Sequence, residues 1–599
     1  MLRFYFAVHF RARKPWVMSG LSGKHRRIYV MLLLKNIIKG VVFLKPKVLW
    51  SLALLGLVLF VIVQVLPMTS SESPDSGSSI SKEQAVQTAA DFAANTLGIS
   101  NIPKENAAVT YTTQSDLYGY LSKENLLAEY NRKYAKQFPT ERFRVQFKHP
   151  DSHLDALNIE INMKEGNVVG FDAGELWNIR VKDDLLKKDD GSSKIKDLEG
   201  SITADEKEEL AAPYVKALGF NPDQLSLDTS SDIGLTYNVK GYTLGDTKGQ
   251  LKFHFEYGEV SSLESRFSVP QAHTDYINSQ TRLATWLTMA GYGLLTFILG
   301  ILAIVYSART RPYASFKRGI FLSLFYLFIN VASTLNMMPA FEAEGLSGGA
   351  LTFALVFQMI TTLVMAASIY FSLVGGDGLW KVKGSNMWLR SRDPGYGSHV
   401  LQSAINGYAW ALILLGIQSV IYIVLGLTIH TWSTTDETQS PYNMVYPWLF
   451  PLMAWMAGIG EEAVYRLFGI PMLKKIVRST FVACLITTFI WALGHTLYPI
   501  YPVISRPIEL TFIGLLFSYI FLRHGYIAAM FAHVIFDSIL MGLSLILMGG
   551  ALNITIGIVT FALPAVVGYV IQRFNPPGRE RPASPRNDNY VEGLASITD

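Results

Sequence analysis

Residues 458–472 read GIGEEAVYRLFGIPM and lie inside an apolar run, 445–472. Glu461 and Glu462 sit near the middle of that run, and Arg466 follows four residues after Glu462. A charge at the centre of a bilayer costs about 2.5–3.5 kcal/mol on insertion scales. Two adjacent carboxylates therefore do not persist there as lipid-facing decoration; they call for a polar pocket among neighbouring helices. On an α-helix Glu462 and Arg466 share a face and can pair. Glu461 points about 100° away from Glu462 and is left to face another group. One ion pair accounts for one carboxylate and not for the other.

The rest of the chain supports a membrane setting. Of 599 residues, 50% are hydrophobic and 17% charged, with a mean hydropathy of +0.26. The apolar residues gather in runs of bilayer-spanning length. One is the run 48–67; nine more follow residue 280, at 284–306, 319–338, 350–375, 401–429, 445–472, 480–498, 507–522, 526–548 and 552–572. This predicts a polytopic α-helical membrane protein of about ten transmembrane helices. Residues 1–46 carry ten Lys or Arg and no Asp or Glu. The segment 1–47 thus reads as a basic cytoplasmic N-terminus ahead of an uncleaved anchor at 48–67. Loop charge then orients the remainder. Arg309, Arg311, Lys317 and Arg318, then Lys381, Lys383, Arg390 and Arg392, then Lys474, Lys475 and Arg478, then Arg523 fall on the inner side. The opposite loops hold Glu342, Glu344, Asp436 and Glu437, with Arg506 as their cation. Both termini are expected in the cytoplasm, in what reads as a bacterial plasma membrane, with 574–599 a disordered cytoplasmic tail. The modest net charge of +5 lies beside the apolar runs and is a topology signal, not a nucleic-acid surface.

Residues 68–280 are expected outside, as an α+β domain inserted after the first helix. A Ser-rich linker (68–80) precedes two similar units. SKEQAVQTAADFAANTLG and TADEKEELAAPYVKALGF each show a helix cap, an acidic first turn, helical periodicity and a closing glycine, Gly98 or Gly219. Alternating segments follow each: FRVQF, LNIEIN and NVVGFDA, then LTYNV, LKFHFEY and VSSLESRF. They read as antiparallel strands. The helix-then-meander pattern resembles PepSY-like modules of bacterial exported proteins, which suggests a region that binds or restrains peptides. His149, His153, His254 and His273 are read there as scattered surface residues.

The partners for Glu461 lie downstream. WALGH puts Trp491 and His495 at i and i+4 of the next helix, and HVIFD puts His533 and Asp537 at i and i+4 near the start of a later one. All four fall at membrane depth and can converge on one pocket. Cys484, the single cysteine, sits in an apolar run and reads as core filler.

EEAVYR, WALGH and HVIFD, in that order and spacing, resemble the EExxxR, FxxxH and HxxxN/D motifs of the CAAX-protease and bacteriocin-processing family. The likeness covers about 401–573, after helices two to four in 281–400. Trp491 stands where the family has Phe, and Asp537 where the better-known prenyl endopeptidases have Asn. The resemblance implies an intramembrane endopeptidase acting on a membrane-associated protein or peptide through an activated water. Glu461 is then the general base, His495 holds the water, His533 stabilises the oxyanion with Asp537 orienting it, and Glu462 with Arg466 forms a supporting pair. No cofactor is expected; a zinc held by His495, His533 and a carboxylate is the alternative, though no HExxH occurs. A buried polar network that only ties helices together is the plainest reading of the same residues. Two other functions use them differently: a proton-coupled carrier, and a non-catalytic scaffold or immunity protein that binds peptides through its outside domain.

Overall fold

The computed structural model describes residues 45–69, 79–99, 102, 104–148, 155–174, 202–228, 234–256, 258–343, 346, 348–438 and 440–576. The basic N-terminus before residue 45, most of the linker, the tail beyond residue 576, and His149 and His153 lie outside the described residues.

The region between the first and second membrane helices folds around one antiparallel sheet. Strands β1 (Ala108–Thr113), β2 (Glu141–Lys148), β3 (Asp155–Asn162) and β4 (Val168–Asp172) form one half; β5 (Leu225–Leu227), β6 (Leu235–Leu244), β7 (Thr247–Glu256) and β8 (Glu259–Phe267) form the other. Their order, β1-β2-β3-β4-β8-β7-β6-β5, joins the halves through β4 and β8. A helix precedes each half, Lys82–Asn95 and Ala204–Ala217. Both helices begin with a complete capping box, Ser81 with Gln84 and Thr203 with Glu206. Gly98 and Gly219 follow with φ of +65° and +80°, the left-handed turn that ends a helix cheaply only at glycine. Alternation does the rest: Phe143, Val145 and Phe147 of β2 and Leu157, Ile159 and Ile161 of β3 are all buried. Their partners on the helix are small, Ala85, Ala89 and Ala93, which lets helix and sheet approach closely.

The membrane part is a bundle, so the chain is a multi-pass membrane protein. Among the described residues, eight helices are long and apolar enough to cross a bilayer: Pro46–Met68, Gln271–Arg309, Gly319–Asn336, Gly348–Val382, Tyr396–Ile429, Ser505–His524, Tyr526–Met548 and Ala551–Phe574. The other two of the ten apolar runs differ for physical reasons. The run 445–472 becomes α-helical only at Leu452, because Pro447 and Pro451 hold its start in tighter turns. It then continues to residue 477 with three charges at its centre. The run 480–498 is helical only over Thr480–Leu493. Pro46–Met68 packs on Tyr396–Ile429 at a glycine crossing. A Cβ on Gly56 would lie 2.2 Å from the Leu412 carbonyl, so no other residue permits that approach.

The eight-stranded sheet is fastened to the bundle through the loop that leads into helix 452–477. The Asn443 side chain pairs with both backbone groups of Tyr111 on edge strand β1, accepting from its N–H at 2.6 Å and donating to its carbonyl at 2.8 Å. Tyr442 stacks on the Tyr111 ring. Glu437 accepts from the Thr113 N–H at 2.6 Å; burial raises the pKa of its carboxyl, against that bond and the nearby Arg144. Upstream, β9 (Trp432–Ser433) pairs with β10 (Ile500–Tyr501), the stretch that follows His495. His273, expected at the surface, is 4% exposed. It begins a helix that runs unbroken from the sheet into the membrane, where Tyr120 and Trp432 close over its ring.

Candidate active site

The charged stretch is a helix with a widened middle. Glu462–Gly469 is a π-helix in which every residue is buried. Such segments arise where side chains are re-aimed, frequently at functional sites. Arg466 Nη1 donates to Glu462 Oε1 at 2.9 Å and Nη2 to the Gly514 carbonyl at 3.3 Å. Both members of this pair are fully enclosed. The guanidinium lies 4.7 Å from the Trp491 ring and 5.5 Å from the Phe517 ring. Gly514 makes room for it, since a Cβ there would meet Arg466 Nη2 at 2.9 Å and the Thr488 methyl at 2.6 Å.

His533 comes from helix Tyr526–Met548 and meets the same carboxylate oxygen. Its Nδ1 lies 2.9 Å from Glu462 Oε1, and Phe517 stacks on the imidazole at 4.5 Å. The ring is thereby held on one edge and one face. Its other nitrogen, Nε2, faces Asp537 Oδ2 at 3.5 Å and Glu461 Oε2 at 3.7 Å. The two carboxylates on that side are 28% (Glu461) and 20% (Asp537) exposed, against none for Glu462. Burial therefore divides the acids into one that is sealed in and two that are partly exposed.

Glu461 also has the partner that its position demands. The indole N–H of Trp491 donates to Glu461 Oε2. Read from the sequence, Trp491 is a packing position with an enlarged side chain; in the structure its ring nitrogen is part of the site. His495 lies two residues beyond the end of its helix, not on it. Gly494 turns the chain there, and a helical i, i+4 relation to Trp491 is lost. The imidazole instead folds back so that Nδ1 is 3.1 Å from the Trp491 carbonyl and its ring 5.1 Å from the indole. It joins the cluster beside Trp491; among the described residues no ion pair links it to Glu461 or Glu462.

A second polar group adjoins the first. Arg506 Nη1 donates to Glu509 Oε2 at 2.7 Å, and Gln418 Nε2 donates to the other oxygen, Oε1, at 2.7 Å. Glu509 is an acid inside the apolar run 507–522, so the argument applied to Glu461 and Glu462 also flags it. Cys484 is free and buried. Among the described residues no three His, Cys, Asp or Glu side chains are arranged as a metal-binding group.

Comparison with known proteins falls on this same region. Residues 443–539 match the family described as type II CAAX prenyl endopeptidase Rce1-like. The chain is also similar to the sporulation-killing factor biosynthesis protein SkfC of Bacillus subtilis (strain 168), at 28% identity over 88 residues, which is 15% of this chain and 18% of the relative. The chain thus spans about a fifth of that relative's length. No solved structure matches the chain. The matched stretch runs from Asn443 through Glu461, Glu462, Arg466, His495, His533 and Asp537, so the C-terminal part of this membrane protein carries a domain similar to the Rce1-like CAAX prenyl endopeptidases.

Proposed function

We propose that this domain hydrolyses a peptide bond of a membrane-associated protein or peptide, using a water activated without a metal. The observation that carries the reading is the pairing of a sealed acid with open ones around a single imidazole. Glu462 holds His533 by Nδ1, and the partly exposed Glu461 and Asp537 stand at Nε2. A purely structural network has no reason to leave its second and third carboxylates partly open.

In this mechanism Glu461 takes a proton from water as the oxygen adds to the scissile carbonyl carbon. As imidazolium, His533 has two donors: Nδ1–H stays on Glu462 and Nε2–H turns to the developing oxyanion. A donor of this kind is worth about 3–4 kcal/mol in a dry site. The protonated Glu461 then passes its proton to the amide nitrogen as the C–N bond breaks, which gives a free amine and a new carboxylic acid that releases its own proton to solvent. Trp491 keeps the Glu461 carboxylate aimed. His495, with Nδ1 on the Trp491 carbonyl, has Nε2 available to hold the water. Glu462 takes the orienting role for His533, because Asp537 lies on the same side as the reacting nitrogen. We place the sheet domain on the outer face of a bacterial plasma membrane, with both termini inside, from the loop charges. By analogy with PepSY modules, the sheet domain binds peptides near the active site.

The test is isotopic. Purified full-length protein in liposomes is incubated in heavy-oxygen water with lipid-anchored peptides, and products are read by mass spectrometry. New C-termini carrying the heavy oxygen, present with the native chain and absent with Glu461→Gln, support hydrolysis. A carrier or a scaffold gives none with either.

A further inference from the structure

The end of the bundle away from the sheet gathers positive charge from three segments. Arg309 closes the helix that starts at the sheet, and Lys383 follows the helix Gly348–Val382. Lys474 and Lys475 stand in the last turn of the helix that carries Glu461 and Glu462. Two of these segments meet at one ring: Lys475 Nζ lies 4.8 Å from the centre of Tyr306, and the Arg309 guanidinium lies 5.8 Å from it. Arg309 is within electrostatic reach of Lys475, and Lys474 and Lys475 are both within reach of Lys383. The four cations thus form one cluster and repel one another.

The acids at this end do not offset them. Segments 309–318, 377–395 and 473–480 hold Asp377 and Asp393 and no other acid. Asp377 is taken by Lys381 at 2.6 Å, with Arg318 at 3.7 Å and Arg390 at 4.0 Å. Asp393 accepts from the Arg390 N–H at 2.7 Å. Among the described residues, Arg309, Lys383, Lys474 and Lys475 form no ion pair. Membrane orientation asks only that cations lie on one side, not that those of separate segments crowd together. A shared anion outside the chain accounts for the crowding.

The surroundings say which anion. Arg309, Lys383 and Lys475 are exposed. The same helices turn Ile304, Val305 and Ile476 outward beside them, so the cluster borders a lipid-facing wall. A tyrosine at that border sits at headgroup depth. A lipid phosphate held by the cations lays its acyl chains on this wall, whereas free phosphate gains nothing from it.

We propose that Arg309, Lys383, Lys474 and Lys475 bind the phosphate headgroup of an anionic phospholipid, at the end of the helix that bears the two central glutamates. Basic pockets between membrane helices suit such headgroups, and the phosphate oxygens accept charge-assisted hydrogen bonds from Lys and Arg.

The test counts bound lipid. Full-length protein is stripped of lipid in uncharged detergent and offered equal amounts of phosphatidylglycerol and phosphatidylethanolamine, and the complexes are read by native mass spectrometry. Phosphatidylglycerol should be retained about tenfold over phosphatidylethanolamine, and inorganic phosphate in about a hundredfold excess should not displace it. Lys383→Gln/Lys475→Gln should bring the ratio below about threefold. Lys317→Gln/Arg392→Gln removes two cations of the same end that are not among the four, and Lys383→Arg/Lys475→Arg keeps the charge; both should keep the ratio. All four positions are exposed, so the fold tolerates these changes. Equal retention of the two lipids, a ratio that survives in Lys383→Gln/Lys475→Gln, the same fall in both Gln pairs, or displacement by inorganic phosphate would overturn the assignment. Turnover enters none of these readings, so the hydrolase proposal stands or falls separately.

Discussion

Replacing Glu462 by Gln removes a charge that the fold has no means of replacing. One oxygen of this fully buried carboxylate is bonded by Arg466 Nη1 and by His533 Nδ1, each at 2.9 Å. The amide oxygen of Gln can take the place of Oε1 and keep both contacts, while its NH2 replaces Oε2, which is buried and bonded to nothing among the described residues. Arg466 keeps its charge, its contact with the Gly514 carbonyl and the two aromatic faces, but it loses its counter-ion at zero exposure. Removing one partner of a buried pair costs about 3–5 kcal/mol. With both hydrogen bonds kept and only the charge lost, the lower end, about 3 kcal/mol, is expected. Glu461→Gln is the control: it is partly open, and its amide oxygen can still accept from Trp491, so a loss under about 1 kcal/mol is expected at such a site. The assay is unfolding of purified protein in detergent, followed by tryptophan fluorescence, beside turnover. Glu462→Gln should lose both stability and activity, and Glu461→Gln activity alone. Equal losses of stability in the two variants would refute the division into a supporting acid and a reacting one.

Further outcomes follow from the same geometry. Trp491→Phe keeps the ring over Arg466 and deletes the N–H on Glu461; a hydrogen bond to a charged group is worth about 1.5–3 kcal/mol, so turnover should fall tenfold or more while the unfolding midpoint moves little. Cysteines at Ser79 and Ser385, with Cys484 removed, should be labelled from opposite faces of intact cells; labelling of both from outside would sink the assigned orientation. Dialysis against a strong chelator should leave activity unchanged, and elemental analysis should find no stoichiometric zinc; one zinc per chain, lost and regained with activity, would make the histidines ligands.

The membrane helices and the strands were legible because both rest on periodicity and apolar length, which a single sequence carries. The intramembrane charges were legible for the same reason, since Glu461, Glu462 and Arg466 have no place in lipid. What sequence could not carry was set by packing. Nothing local distinguishes a tryptophan that fills space from Trp491, whose ring nitrogen meets a glutamate thirty residues away. The π-helix at Glu462–Gly469 is invisible to reasoning from a 3.6-residue repeat, although the i, i+4 pair with Arg466 forms within it. The apolar run extends to Tyr498 and so predicts a helix through His495, whereas Gly494 ends the helical geometry earlier. The docking of Asn443 on Tyr111 joins residues 332 apart in the chain, so only the fold reveals it. Glu509 is legible by the same rule, as an acid inside the apolar run 507–522.

If Glu461 drives peptide-bond cleavage in the membrane, cell envelopes that carry the native chain must differ in their peptides from envelopes that carry Glu461→Gln at matched levels. A defined set of fragments ending at new C-termini is expected in the native envelopes, with the corresponding uncut precursors accumulating in the variant. Identical peptide profiles from the two, with both proteins folded and present in the membrane, would contradict it.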